Sequence, residues 1–456
     1  MRLLLAHLGA LPESVARPGY NREGRGIGIV HFGMGAFHRA HMAAYTDDAM
    51  AADHGDWRIL GVSLRSPAVR DQMRTQDGLY TLVERSAVGS KARMIEAVAD
   101  VLVASEERER LVATLAAATT HIASFTITEK GYCRAPDGSL DLALADDRSA
   151  YAYLAAAFAR RKEARLSGLT LLSCDNLAGN GAQLERLIAE YLSAHAPDLV
   201  DWFKAECACP STMVDRIVPA TTDADRQQIE ALIGMRDEAA VVTEPFSQWV
   251  IEDRFAGPRP DWEAHGAQIT SDVHAYEAAK LRMLNGAHSA LAYLGLQRGH
   301  EFVHQAIADP ELTTLIDRLM RDEAAPSLTP ASGQDLNAYA NALIDRFKNP
   351  ALNHRLIQIA MDGSQKIPQR WLETLAFHQK QDRQCPAILT ALAAWLRHVR
   401  GDNGPVDDPL AGILKAKWDD AGVEGICAAL FDSNGPMASD WSPSPADRDC
   451  IVSALN

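Results

Sequence analysis

Residues 25–52 read RGIGIVHFGMGAFHRAHMAAYTDDAMAA, and this stretch decides the fold. Arg25 to Phe32 is a short apolar run of strand-forming residues. Gly33-Met34-Gly35 follows, and then an alanine-rich helical pattern begins. Strand, glycine turn and helix make the first unit of a dinucleotide-binding fold. Gly33 permits the tight turn, Gly35 lets the backbone approach a pyrophosphate, and the helix N-terminus offers its N–H groups to the phosphates. His38 stands where the third glycine of GxGxxG would fall. Taken alone, the turn therefore also fits an ordinary strand-turn-helix unit.

The chain after it keeps the same alternation. A second strand is expected over 57–64, β-rich pieces over 80–84 and 94–103, and strands over 121–128 and 169–174, with helices between them. Residues just past the C-terminal ends of parallel strands line the ligand crevice. Gly33, Gly35, Phe37, His38, Arg65, Thr128, Glu129 and Lys130 are thus the candidate coenzyme contacts. An acidic residue after the second strand would mark NAD by holding the ribose hydroxyls. Leu64-Arg65-Ser66-Pro67 stands there instead. Arg65 is either a partner for a 2′-phosphate or a solvent-facing cation, so NAD is expected and NADP stays open. Asn176 follows the strand 169–174, as a crevice residue or as an ordinary Asx turn. Asp215 and Arg216 read either as site residues or as an ion pair, and Glu244 and Trp249 as capping and packing.

From about residue 275 the pattern turns helical, with helices expected over 276–296, 301–308, 311–323, 335–347, 350–361, 386–399 and 408–420. An α/β Rossmann-type domain with a parallel sheet over 1–270, followed by a mostly α-helical domain over 271–456, is the expected organisation. The first of these helices, YEAAKLRMLNGAHSALAYLGL (276–296), is apolar except for one group of polar residues. At about 100° per residue, Asn285 lies roughly 140°, His288 roughly 80° and Glu277 roughly 60° from Lys280. An ammonium, an amide, an imidazole and a carboxylate share one side of a helix with little water around it. Buried polar groups are costly without partners, so the four together point to a site more than to a solvated stripe. Asn353, His354, Arg355, Gln358, Asp362 and Lys366 form a second polar group. Arg355 and Lys366 are the cations suited to an anionic or polyhydroxylated substrate. Residues 361–368 read as a helix end followed by a loop.

The 456-residue chain carries a net charge of −15, and 47% of its residues are hydrophobic. The acidic balance argues against nucleic acid or an anionic membrane as partner. No apolar run reaches the ~18–20 residues of a membrane span. Seven cysteines, odd in number and scattered, read as reduced thiols of a cytoplasmic protein. Cys207 and Cys209 lack the further ligands of a structural zinc site, so no metal is expected.

The motifs IVHFGMGAFHRAH (29–41), TEKGY (128–132), SCDN (173–176), MVDRIVP (213–219), EPFSQWVIED (244–253), KLRMLNGAHS (280–289) and MDGSQKIP (361–368) run through almost the whole chain. In them the sequence resembles the mannitol dehydrogenase family, the polyol-specific long-chain dehydrogenases. Lys280, Asn285 and His288 fit the family signature of Lys, four residues, Asn, two residues, His without a gap. DLNAYA (335–340) and HR-x-x-QIAMDGSQK (354–366) bring it closest to the fructuronate reductases, or D-mannonate oxidoreductases. The resemblance implies metal-independent hydride transfer with NAD on a small sugar acid or polyol, by a monomer or small homo-oligomer. It implies Lys280 as general acid and base, Asn176 and Asn285 as donors to the developing alkoxide, and His288 and Asp215 as orienters of substrate hydroxyls. Lys366 would contact the far end of the substrate, Arg355 or Lys366 a carboxylate, and Glu129 and Glu277 would relay the proton. Gln358 departs from the arginine expected of mannitol-type members, which weakens mannitol itself as the substrate; a sugar acid such as D-mannonate or D-fructuronate is the leading reading, and a polyol dehydrogenase acting on mannitol, arabinitol or sorbitol is the alternative.

Overall fold

The computed structural model describes residues 1–52, 55–351 and 353–456. The chain divides into two compact units, Met1–Val273 and His274–Asn456; the sequence placed the boundary after residue 270.

The first unit is built on a five-stranded parallel sheet in the order Val98–Val103, Arg58–Ser63, Ile27–Phe32, Ile122–Phe125, Thr170–Ser173. Numbered along the chain this is 3-2-1-4-5, the order of a Rossmann sheet. The order reverses between Ile27–Phe32 and Ile122–Phe125, so the crevice for a ligand opens where those two strands end. Alternate residues leave the sheet on opposite faces. Val30, Phe32, Leu60, Val62 and Phe125 enter one core with the helices Ala150–Glu163 and Asn180–His195. Ile29, Ile59 and Ile122 enter the other, under the helix Met42–Ala52. Near-continuous apolar strands are what a sheet covered on both sides demands.

Two smaller sheets flank this frame. One runs Val15–Ala16, Gly89–Ile95, Tyr80–Ser86, Val241–Thr243, and the other Gln268–Thr270, Gln248–Glu252, Thr212–Asp215. The expected single run 94–103 is in fact the end of one strand, Gly89–Ile95, and a separate one, Val98–Val103. The reason lies in Asp47, whose buried carboxylate accepts the N–H groups of Glu96 at 2.8 Å and Ala97 at 2.9 Å. Those two N–H groups are lost to the ladder, and the chain passes from one sheet to the next. The strand expected over 121–128 stops at Phe125, because Thr128 takes a left-handed φ of 61° and opens a short helix, Thr128–Gly131.

The second unit is a helical bundle around Gly286–Gln297, whose residues 286–295 are all buried. A helix apolar all round belongs at the centre of a bundle. Pro386–Arg400, Val303–Ala308 and Leu356–Ile359 pack against it. Helix 350–361 is reduced to Leu356–Ile359, with Leu352 outside the described residues. Residues 363–379, expected to begin a loop, are helical throughout. Asp408 starts this helix by accepting the Ser364 N–H at 2.7 Å and its hydroxyl at 2.6 Å. Pro368 does not end it, because the backbone widens to a π turn over Pro368–Leu372 where the proline N–H is missing. Among the described residues no helix is long and apolar enough to cross a membrane, and all seven cysteines are free thiols.

Candidate active site

In the first unit the strand ends at the reversal point carry the coenzyme candidates. Gly33 has φ +92°, and a Cβ there would lie 2.0 Å from the Thr126 carbonyl oxygen. Only glycine fits. The Thr126 hydroxyl donates to the Gly33 carbonyl at 2.7 Å, and His31 braces it, with Nε2 2.9 Å from Thr126 Oγ1 and Nδ1 2.8 Å from Ser124 Oγ. The turn after the first strand is thereby sewn to the end of the fourth. Gly35 differs. It is exposed, and an added Cβ would meet only the Gly33 oxygen, at 3.7 Å. The outer side of the turn is open, and a bare backbone there fits the close approach of a dinucleotide pyrophosphate.

The neighbouring positions divide. Thr128, Glu129 and Lys130 are exposed on the loop after the fourth strand, and Arg65 is exposed beyond the second. Phe37 is half-buried and stacks on His41 at 5.0 Å. His38 is wholly buried, its ring stacked at 3.3 Å on that of His31. Burial pushes the His31 ring down to about 3 and that of His38 well below the ordinary imidazole value, so both are neutral. His38 stands in the interior, not on the surface of the turn.

Asn176 is exposed just past the fifth strand, and the residue before it does the anchoring. The Asp175 carboxylate accepts the N–H groups of Ile127 at 2.9 Å and Thr128 at 3.2 Å, and the Tyr132 hydroxyl at 2.9 Å. It holds the loop that carries Thr128, Glu129 and Lys130 despite the left-handed Thr128. Burial raises its own pKa. Asp215 is buried at the end of Thr212–Asp215. Arg216 pairs with Glu84 at 2.6 Å, and Glu244 accepts the Ile217 N–H at 2.6 Å. Trp249 is fully buried in the core.

In the second unit the long helix is not the uninterrupted α-helix expected. It runs α over Val273–Ala279, π over Lys280–Asn285 and α again from Gly286. The Gly286 N–H donates to the Leu281 carbonyl, five residues back. Two donors from the facing helix meet the carbonyls where the turn widens. Arg370 Nη1 reaches the Asn285 oxygen at 3.3 Å, and Trp371 Nε1 the Gly286 oxygen at 3.2 Å. A π turn brings residues five apart to nearly one face, as an α turn does for residues four apart. Lys280 and Asn285 therefore lie one above the other. His288 follows Asn285 by three residues, on the same side. Lys280 and Asn285 are half-buried, and the carboxylate of Glu277 lies 3.8 Å from His274 Nδ1.

His288 is buried, with its ring 4.6 Å from that of Phe347 and 5.3 Å from that of His354. Burial above all, then His354, Arg346 and Arg370, hold it well below the ordinary imidazole value, so it is a neutral hydrogen-bonding group. Lys366 is half-buried, donates to the Met361 carbonyl at 2.5 Å and has Asp362 at 3.8 Å. Arg355 is exposed and engaged by Glu301 at 2.7 Å. Sequence reasoning missed Asp175 and Arg370. Asp175 sits inside the SCDN motif. Arg370 follows Lys366 by four residues, a helical spacing masked by Pro368.

Residues 27–264 match the mannitol dehydrogenase Rossmann domain and 272–428 the mannitol dehydrogenase C-terminal domain. The chain is 39% identical over 454 residues to D-mannonate oxidoreductase of Escherichia coli strain K12, covering 95% of this chain and 93% of that one. It is 39% identical over 427 residues to mannitol 2-dehydrogenase of Phaeosphaeria nodorum strain SN15, covering 89% and 75%. Mannitol 2-dehydrogenase of Pseudomonas fluorescens, solved as a ternary complex with NAD and D-mannitol, superposes with a TM-score of 0.81 at 34% identity, over 100% of this chain and 96% of that one.

Proposed function

The chain belongs to the mannitol dehydrogenase family, and from that premise we propose that it is an NAD-dependent oxidoreductase of a sugar acid, interconverting D-mannonate and D-fructuronate. The observation that carries the reading is the π turn, which stacks Lys280 over Asn285 beside a neutral His288, with Lys366 and Arg370 as cations on the facing helix. When bound, the nicotinamide supplies or accepts the hydride. The protein has to move the proton. A free lysine titrates near ~10.4, and in the reducing direction its ammonium gives a proton to the carbonyl oxygen. In the oxidising direction the neutral amine takes the hydroxyl proton. The amides of Asn285 and Asn176 donate to the oxygen as its charge grows. His288 and Asp215 fix the substrate hydroxyls, and Lys366 takes the far end of the chain. Gly33, Gly35 and residues 128–130 would hold the coenzyme, and Arg65 would be the partner for its adenosine ribose. The free thiols fit a cytoplasmic protein; a monomer or small homo-oligomer is part of the same reading.

A polyol reading, mannitol to fructose, is the alternative, because mannitol 2-dehydrogenases are as similar in identity as D-mannonate oxidoreductase. Oxidation of NADH and NADPH with fructuronate, tagaturonate and fructose at neutral pH separates the two. Turnover with fructuronate and NADH supports the sugar-acid reading. Turnover with fructose alone overturns it.

A further inference from the structure

Arg370 is a cation in a place where a cation is costly. It lies on the π turn Pro368–Leu372, facing the helix that carries the signature residues. Its Nη1 donates to the Ser289 hydroxyl at 2.7 Å and to the Asn285 carbonyl at 3.3 Å. Those are its hydrogen bonds among the described residues, and no carboxylate there lies within ion-pair reach of it. Burial pulls the guanidinium down to about 10, with Tyr293 the one group opposing. Arg370 is half-buried, and desolvating a charge even in part without a counter-charge is unfavourable.

Arg370 acts on both His288 and Lys366 through its charge, so it sits within electrostatic reach of each. Lys366 precedes it by four residues, on the same face of one helix. Asp362 and Asp408 act on Lys366, and Asp408 is already held by Ser364 and Leu410. The charge of Lys366 is thus partly answered by carboxylates, whereas Arg346 and Arg370 are the cations that act on His288. Neutral hydroxyls gain little from an unpaired guanidinium. A carboxylate gains a charge-assisted, two-pronged partner.

We propose that Arg370 is the specificity-determining residue for an anionic substrate, its guanidinium binding the carboxylate of a hexuronate or aldonate while Nη1 stays fixed on Ser289 and Asn285. The inference rests on the sugar-acid reading above and names the residue that enforces it. Ser289 and the Asn285 carbonyl orient the guanidinium, and Lys366 adds a second positive charge beside it.

The test compares kcat/KM for fructuronate with kcat/KM for fructose at pH 7, in wild type, Arg370→Gln and Arg370→Lys, with binding of D-mannonate and D-mannitol to each protein measured by calorimetry in the presence of NAD. In Arg370→Gln the fructuronate-to-fructose ratio and the mannonate-to-mannitol affinity ratio are expected to fall by roughly 10²-fold, the loss typical of one partner of a desolvated charge pair. Arg370→Lys, which keeps the charge and loses the fork, is expected to fall by about tenfold; it carries the test alone if the glutamine variant does not fold. Ratios that stay level while both substrates lose activity together would make Arg370 a clamp between two helices and overturn the inference. Wild type that neither turns over fructuronate nor binds mannonate overturns the sugar-acid reading itself, and is read without any variant.

Discussion

The N–H of Gly286 donates to the carbonyl of Leu281, five residues before it, at the end of a π turn over Lys280–Asn285, and that turn places Lys280 over Asn285. In an unbroken α-helix the two would diverge by roughly 140°. In the proposed mechanism the Asn285 amide would donate to the oxygen whose proton Lys280 handles. Asn285→Ala should lower kcat by ~10²–10³-fold, the usual loss for one oxyanion donor. The KM for NADH should change far less. Steady-state kinetics with both parameters resolved checks this, and an equal fall in coenzyme affinity would count against the assignment.

The two glycines of the first turn should behave differently. Gly33→Ala places a Cβ 2.0 Å from the Thr126 oxygen at φ +92°, and backbone in both strands has to give way. Loss of soluble folded protein, or a drop in thermal stability of several degrees, is expected. Gly35→Ala meets only the Gly33 oxygen at 3.7 Å. It should fold as wild type and weaken NADH binding, measured by fluorescence titration, by tenfold or more (~1.4 kcal/mol).

Asp175 secures the loop after the fourth strand through three hydrogen bonds. Asp175→Ala leaves the N–H groups of Ile127 and Thr128 without their acceptor, and a hydrogen bond to a charged group is worth about 1.5–3 kcal/mol. The left-handed Thr128 loses its main restraint. The KM for NADH should rise about tenfold, and hydrogen exchange over residues 126–132 should accelerate. Unchanged exchange there would show that other contacts hold the loop.

Acid should weaken both units. His31, His38 and His288 are all held below their ordinary value by burial. Below pH ~6.5 the unfolded chain binds protons at these rings that the folded chain refuses. Stability is therefore complete above that pH and is lost as pH falls toward about 3, the value at which His31 itself accepts a proton. Each ring costs up to ~1.4 kcal/mol per pH unit in that window. Urea unfolding at pH 7.5 and 5.5 should show a fall of a few kcal/mol. A flat profile would mean that these rings relax to water on protonation.

The sequence disclosed what depends on short-range pattern. The apolar strands and the Gly33 turn declared a Rossmann sheet, and the spacing from Lys280 to His288 declared a polar group on one helix. What escaped depends on contacts between distant residues. Glu96 and Ala97 looked like mid-strand residues until Asp47, in another element, claimed their N–H groups. Pro368 looked like a helix stop, and a π turn absorbed it. The same π geometry made the angular estimate for Asn285 wrong while leaving it on the right face. Arg370 was invisible for that reason, since its significance depends on a helix that the proline had seemed to end. His38 looked like a coenzyme contact by position, yet it stacks inward on His31.

The most direct test of the account is Lys280→Ala measured beside wild type, with NADH affinity by fluorescence titration and NADH oxidation with a ketouronate at neutral pH. If Lys280 is the proton donor, NADH affinity should stay within about threefold while turnover falls by ~10²–10⁴-fold, the range for a positioned general acid. Turnover within tenfold of wild type, with coenzyme binding intact, would contradict it.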